Sequence, residues 1–392
     1  MNITGIIAEF NPFHNGHKFL IDEAKKNSDA VVSVMSGNFV QRGDTAVFSK
    51  FDRAKAAVLS GVDLCIELPT PWAMSTAQTF ASGAVEILEN LVFVNSLCFG
   101  SECADMDLIS KTSEIFSDAN FRDLISSQLK NGVTFAAARQ TAVGRVDEKA
   151  AEILRNPNDI LATEYVSALN RLNSNIKPFC VKRQGTKHDG TEASGKFLSA
   201  SQIRSLVLAD DVDSVKPFCP DVSFEVIKNA NYSDLKRLET DILGKLRRSP
   251  VSELRTLPDI SEGIENRLFS AAKSATTLEE LYSLIKTKRY TLARVRRLVL
   301  SAYLDLKADY LKVSPPYARV LGFSKKGEEI IKIFSSITKI PLILRAGDFE
   351  NASEDAKRIF AADSAATDLY ALSLKSPLPC GTEYTEKFYK QK

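Results

Sequence analysis

The chain opens on a short apolar run, Ile3 to Ala8, that passes through a polar turn at Asn11 to Gly16 into a helical stretch from about His17 to Lys26. The pattern then repeats, and this alternation constrains the fold more than any other feature. Ala30 to Met35 reads as a second strand, closed by Ser36-Gly37-Asn38, and Lys50 to Leu59 as a helix with Ala54, Ala57 and Val58 inward. Val62 to Leu68 is a third strand, Ala77 to Leu91 a helix and Ser96 to Gly100 a fourth strand. Short Ile- and Val-rich runs between amphipathic helices predict an α/β fold with a doubly wound parallel sheet and right-handed crossovers.

Further on, residues 106–175 read as largely helical, Lys177 to Lys182 as another strand, and Leu198 to Leu208 as a helix with Ser199 or Ser201 as its cap. Past Asp211 the rhythm stops. Amphipathic helices dominate, such as Thr277 to Ile285 and Thr291 to Leu306, and after Pro315-Pro316 a small mixed tail has a strand at Lys339 to Leu344. A length of 392 residues suggests two or three domains. The boundary is expected near 210, between an α/β N-terminal domain (1–210) and a mainly helical C-terminal region (211–392).

Hydrophobic residues make up 44% and charged residues 26%, ordinary for a globular protein. The net charge of +2 gives no global attraction to polyanions, so such a partner needs a local basic patch. The cysteines Cys65, Cys98, Cys103, Cys180, Cys219 and Cys380 form no CxxC pair, and with 3 histidines a protein-held metal is not expected. They read as buried thiols in a reducing compartment. With no leader-like or membrane-length apolar run, a cytoplasmic protein with no membrane association is expected, and no protein partner is implied.

The first strand–turn–helix carries the chemistry. Ligands of open parallel sheets bind outside the carboxyl ends of the strands. A helix start there offers free N–H groups and the positive end of the dipole to an anion. His14-Asn15-Gly16-His17 sits at that place. The two imidazoles can donate to phosphate oxygens and stabilise charge developing at an α-phosphate, and Gly16 lets the backbone come close. A chance HxGH, or a histidine pair in a metal site, are the alternatives.

His14-Asn15-Gly16-His17 after an N-terminal strand resembles the HxGH signature of the nucleotidyltransferase superfamily. Leu198-Ser199-Ala200-Ser201-Gln202-Ile203-Arg204 is similar to its second signature at a late helix start. Longer blocks narrow the resemblance to the bacterial tRNA(Met) cytidine acetate ligases. These are Glu9 to His17, Val34 to Gly43, Gly61-Val62-Asp63, Glu67-Leu68-Pro69, Ser96 to Glu102, Pro157 to Leu161 and Tyr317 to Phe323. Where that family usually reads Asn-Asn-Ile-Leu-Gly, this chain has Asn158-Asp159-Ile160-Leu161-Ala162, which leaves the role of Asp159 open.

The resemblance implies an ATP-dependent ligase. Acetate attacks the α-phosphate of ATP (carried with magnesium), and the acetyl-adenylate passes its acetyl group to the wobble cytidine of elongator tRNA(Met). It implies ATP contacts from the first turn: Ile7, Ala8, Glu9, Phe10, Asn11, Pro12, Phe13, His14, Asn15, Gly16, His17, Lys18, Phe19 and Leu20. Gly100, Asn158 and Arg183 are implied with them. His14 and His17 are the catalytic pair. Ser199, Ser201 and Arg204 would hold the β- and γ-phosphates. His188-Asp189 is a candidate for assisting acetyl transfer.

From Glu280 to Asp305 no acid intervenes, while Lys286, Lys288, Arg289, Arg294, Arg296 and Arg297 do. Lys286, Lys288, Arg289, Arg294 and Arg297 are expected to contact RNA phosphates; a solvated basic face is the plainer alternative. Two rival functions remain beside the ligase: a small-molecule adenylyltransferase of the same superfamily, and an RNA-binding protein with a vestigial nucleotide site.

Overall fold

The structure, a computed structural model, describes residues 1–129, 133–184 and 197–392. Eight described strands form the main sheet: β1 (Ile3–Ala8), β2 (Ala30–Ser36), β3 (Leu64–Leu68), β4 (Ser96–Ser101), β5 (Lys177–Lys182), β6 (Ala318–Phe323), β7 (Leu342–Ile343) and β8 (Tyr389–Lys390). Their order is β8-β6-β3-β2-β1-β4-β5, with β7 beside β6. The run β3-β2-β1-β4-β5 is parallel throughout. It reverses direction from β1 between β2 and β4, and a parallel sheet opens a crevice for ligands at such a point.

Period-two alternation sends the strand side chains to two faces. Ile3 and Ile7 of β1 join Val32, Val34, Ile66 and Leu97 under the helices Ala77–Asn90 and Pro157–Arg171. Ile6, Val31, Met35, Cys65 and Cys98 face the helices Asn15–Lys25 and Lys50–Leu59. Both faces are covered, as the doubly wound expectation required. At Gly5 an added Cβ would lie 2.8 Å from Leu88 Cδ1, so the closeness of the Ala77–Asn90 helix to β1 depends on that missing atom.

The mixed tail is more than an appendage. β6 lies antiparallel to β3, and β7 and β8 pair with β6, so residues far beyond 210 complete the sheet that the N-terminus begins. Buried charge fixes the junction. Lys50 Nζ donates to both oxygens of Glu67 at 2.7 and 2.8 Å and also pairs with Glu383, whose other oxygen meets Arg319 of β6 at 2.6 Å. The strand expected over 339–344 is confined to Leu342–Ile343, because Pro341 has no N–H for the ladder and contributes only its carbonyl, to Ala318 N.

Between the halves of the sheet, residues 235–306 build a helical unit with its own apolar cluster, including Leu238, Ile242, Leu268, Leu281, Val295 and Leu298. The long helix Glu354–Leu372 joins the two. Ile359 and Phe360 belong to the sheet's core, and Ala366 and Tyr370 to the helical unit's. Among the described residues no helix is long and apolar enough to cross a membrane.

Candidate nucleotide-binding and catalytic site

The first helix starts at Asn15 rather than His17 because His14 caps it. Gly16 N donates to His14 Nδ1 at 3.0 Å, and His14 N donates to His17 Nδ1 at 3.3 Å. Such a cap is worth about 1 kcal/mol. It also fixes chemistry. With both Nδ1 lone pairs used, the proton of each neutral ring sits on Nε2, leaving two donors for a ligand. The rings stack with centroids 3.9 Å apart. Burial, with Arg183 and Arg204 nearby, lowers the His14 pKa to about 3. Burial and the neighbouring His14 and Arg183 hold His17 well below its usual value. The pair is therefore neutral at physiological pH, with an N–H on each Nε2 free to donate.

The residues before the pair are its frame. Phe10 and Phe13 are 0% and 1% exposed and pack against each other and against His17. Their rings support the imidazole from beneath. Phe10 holds a left-handed φ of 46°, a conformation that side chains of its kind adopt only under constraint. Ile7 and Ala8 end β1; Pro12 follows Asn11 in a cis peptide. Asn11 Oδ1 accepts from Val47 N at 2.8 Å, and Glu9 Oε1 accepts from Gln41 N at 2.8 Å. Asn15 donates to Pro217 O at 3.0 Å, Lys18 pairs with Asp22 on the helix, and Phe19 and Leu20 are half-buried along it.

The second motif comes to the first. Ser199 caps the helix Ala200–Leu208, accepting from Gln202 N at 3.3 Å and donating to Gln202 Oε1 at 2.6 Å. Its hydroxyl is thus engaged in the cap, whereas Ser201 is exposed and accepts from Arg204 at 3.1 Å. Arg204 Nη1 reaches across to donate to Asn11 O at 2.8 Å, joining positions 193 residues apart.

A second cluster lies at the ends of β4 and β5. Asn158 Nδ2 donates to Glu102 Oε1 at 2.5 Å, and Arg183 donates to Asn158 Oδ1 at 3.4 Å with its Nε 3.7 Å from Glu102. A Cβ on Gly100 would approach Arg183 Cγ to 3.2 Å. Asp159 explains itself here. Fully buried, it accepts from Ser101 Oγ at 2.5 Å, Glu102 N at 2.9 Å and Asn156 Nδ2 at 2.9 Å. A carboxylate in the first turn of a helix suits the dipole, and it fixes the loop that aims Glu102 at Asn158.

Sequence reasoning missed Arg53. Its guanidinium, 2% exposed, donates to the carbonyls of Phe48 (2.9 Å), Glu9 (2.6 Å), Ser36 (3.1 Å) and Gly37. It clamps the ends of β1 and β2 below the histidine turn. The signal was an arginine on the same helix face as the inward Ala57. His188 and Asp189 lie outside the described residues. Among the described residues no three of His, Cys, Asp and Glu are grouped so as to hold a metal.

This arrangement matches known proteins along its length. The HIGH Nucleotidyl Transferase family matches residues 1–383. A protein of Thermoanaerobacter sp. (strain X514) named tRNA(Met) cytidine acetate ligase is 36% identical over 402 residues, covering 100% of both chains. The protein of that name from Clostridium perfringens (strain SM101 / Type A) is 40% identical over 360 residues, 88% of this chain and 89% of its own. The chain belongs to the tRNA(Met) cytidine acetate ligase family. Solved structures of Thermotoga maritima TmcAL are 28% identical to it over 100% of both chains, with TM-scores of 0.94 for the apo form and 0.91 for the form bound with alpha-thio ATP.

A family named for an RNA substrate directs attention to the basic stretch, which the structure divides. Lys286, Lys288 and Arg289 are exposed. Lys288 and Arg289 line an open cleft of about 760 Å³ with Asn266, Arg267 and Tyr290. Arg294 and Arg297 turn inward to the fold. Arg294 donates to Asp259 O at 2.9 Å and to Ser261 Oγ at 2.7 Å; Arg297 lies 3.4 Å from Asp259 Oδ2, its side chain 11% exposed. Helical spacing put these two on one face, but that face is occupied by the 259–261 loop.

Proposed function

We propose that this protein uses ATP to activate acetate and transfers the acetyl group to the exocyclic amine of the wobble cytidine of elongator tRNA(Met). The observation that carries the reading is the reciprocal histidine cap, with Arg204 drawn in from the second motif. It supplies two neutral Nε2–H donors, a helix start and a guanidinium around one turn at the sheet's carboxyl edge.

Acetate is a poor acyl donor, and the cytidine amine a poor nucleophile because its lone pair is conjugated into the ring. Acetate must therefore be made into a mixed anhydride. An acetate oxygen attacks the α-phosphorus and pyrophosphate leaves. His14 and His17 donate to the oxygens on which negative charge grows, a contribution worth about 10²–10³ in rate per donor. The Ala200–Leu208 helix start, Ser201 and Arg204 suit the departing β- and γ-phosphates. Gly100, Asn158 and Arg183 suit the adenosine end. The accompanying magnesium would neutralise phosphate charge and ride on the triphosphate itself.

The amine then attacks the acetyl carbonyl and AMP leaves. Nucleotide chemistry is assigned to residues 1–210, and RNA contact to the helical part of 211–392, with Lys286, Lys288 and Arg289 as its leading phosphate contacts. The RNA is expected to present its single-stranded anticodon loop, whose bases can be splayed out to reach an active site.

Incubation with ATP, labelled acetate and bulk tRNA tests the reading. Acid-stable label in tRNA is expected. Acetate-dependent turnover of ATP with no label in RNA would favour a small-molecule acceptor, and RNA binding with no ATP chemistry would favour a vestigial site.

A further inference from the structure

The acceptor's proton needs a destination. As the amine's nitrogen bonds to the acetyl carbon it becomes positively charged, and the amide forms only when one N–H proton leaves. The histidines cannot take it, since each Nδ1 already accepts a backbone N–H and each Nε2 carries the ring proton. Most carboxylates at the sheet's edge are engaged. Asp159 accepts from Ser101, Glu102 N and Asn156; Glu102 accepts from Asn158 and Asp159 N; Glu67 is buried against Lys50; and Glu9 accepts from Gln41 N, 32 residues away, so its carboxylate is spent on holding two segments together.

Asp44 differs. It lies in the short hairpin Phe39–Val40/Asp44–Thr45, is half-buried, and its one hydrogen bond among the described residues is local, Thr45 N to Oδ1 at 2.9 Å. The hairpin is fixed from both sides. Glu9 and Asn11 bond Gln41 N and Val47 N, tying it to the phosphate turn. On the other side Gly43, with φ of 73°, lies so close to the helix Leu292–Tyr303 that a Cβ would sit 2.5 Å from Arg297 N. Asp44 is within electrostatic reach of Arg204, which bonds the phosphate turn, and of Arg296 on that helix, with Asp234 and Tyr282 as the other titratable neighbours. Among the described residues, Tyr282 Oη and Arg296 Nε are buried with no hydrogen-bond partner. Asp44 thus stands where the element assigned to the adenylate meets the region assigned to RNA.

We propose, on the reading of function above, that the Asp44 carboxylate accepts the proton released by the cytidine amine. The nitrogen lone pair forms the C–N bond, the bond from the acetyl carbon to the phosphate oxygen breaks with its electron pair leaving on AMP, and one N–H proton passes to Asp44. Burial raises the Asp44 pKa above its ordinary value, which makes it a stronger base than an exposed aspartate.

Asp44→Asn separates this role from its alternatives. Acetate-dependent ATP–pyrophosphate exchange and tRNA affinity should stay within about twofold of the parent, while single-turnover transfer from preformed acetyl-adenylate falls about 10²–10⁴-fold. Asp44→Glu should recover part of the transfer rate. The parent's transfer rate should decline at acid pH through one ionisation, and that decline should vanish in Asp44→Asn. Unchanged transfer in Asp44→Asn overturns the proposal. So does exchange that falls as far as transfer, which would place Asp44 in nucleotide binding through Arg204. Should Asp44→Asn not fold, an acid limb in the parent that Asp44→Glu leaves unshifted overturns it as well. A parent that labels no tRNA counts against the reading of function itself.

Discussion

The histidine turn and the basic stretch start from similar material: short, local runs of polar residues beside a helix start. Between His14 and His17 sequence neighbours remain partners in space, and each ring caps the backbone of the same turn. Between Lys286 and Arg297 sequence neighbours part. Lys286, Lys288 and Arg289 meet solvent, while Arg294 and Arg297 are held by Asp259. The difference teaches where a motif can be trusted. When the backbone itself forms the site, as at a helix start after a strand, spacing is geometry. When charge alone is the signal, the face a side chain takes depends on what packs against it.

The largest effect is expected in the turn. His14→Ala or His17→Ala should slow adenylate formation by about 10²–10³, the scale for one lost transition-state donor, with a smaller loss of ATP affinity. Near-parent ATP–pyrophosphate exchange in either variant would break the comparison at its stronger side. Arg297→Ala should cost stability instead of RNA affinity, about 1–3 kcal/mol for the lost charged hydrogen bonds, read as a lower thermal midpoint. If it leaves stability intact and flattens the salt dependence of tRNA binding, the assignment of this arginine to the fold is wrong.

Acid titration sharpens the histidine account. His14 has a folded pKa of about 3, below the value of 6.5 in the unfolded chain, so the unfolded state binds more protons between those limits. No stability is lost to this group above the unfolded value. Below it the folded state is penalised, by up to about 1.4 kcal/mol per pH unit, as pH falls toward the folded pKa. Denaturation midpoints at pH 7 and 5.5 should therefore diverge less in His14→Ala than in the parent. Equal divergence would mean the ring is not buried in its neutral form. The smallest effect is expected from Lys288→Glu with Arg289→Glu: about tenfold weaker tRNA binding and a shallower salt slope, with exchange unaffected. Affinity equal to the parent over a salt series would reduce the cleft to a solvated face.

Much of this was legible in the sequence. The Lys50–Leu59 helix and the Lys177–Lys182 strand have the limits that periodicity gave them, because both sit in a regular layer with apolar residues on fixed faces. The first helix was misjudged at its start because histidine is not an ordinary cap. β6 was not foreseen as a strand. Ala318–Phe323 is buried on both faces and carries Arg319, whose charge is matched by Glu383 and Glu67, both distant in sequence. Arg204 was placed at the site by its motif, but its bond to Asn11 O could come only from the fold. Arg53 and Asp44 escaped notice for one reason: each draws its meaning from backbone and charge brought together by tertiary contacts.

The most direct test of the account is to treat unmodified tRNA with the protein, ATP and acetate, digest with nuclease, and map acetylation by mass. The account predicts one acetylated cytidine, at the wobble position of elongator tRNA(Met), formed only when both ATP and acetate are present. Acetyl groups spread over several cytidines, or none while acetyl-adenylate accumulates, would contradict it.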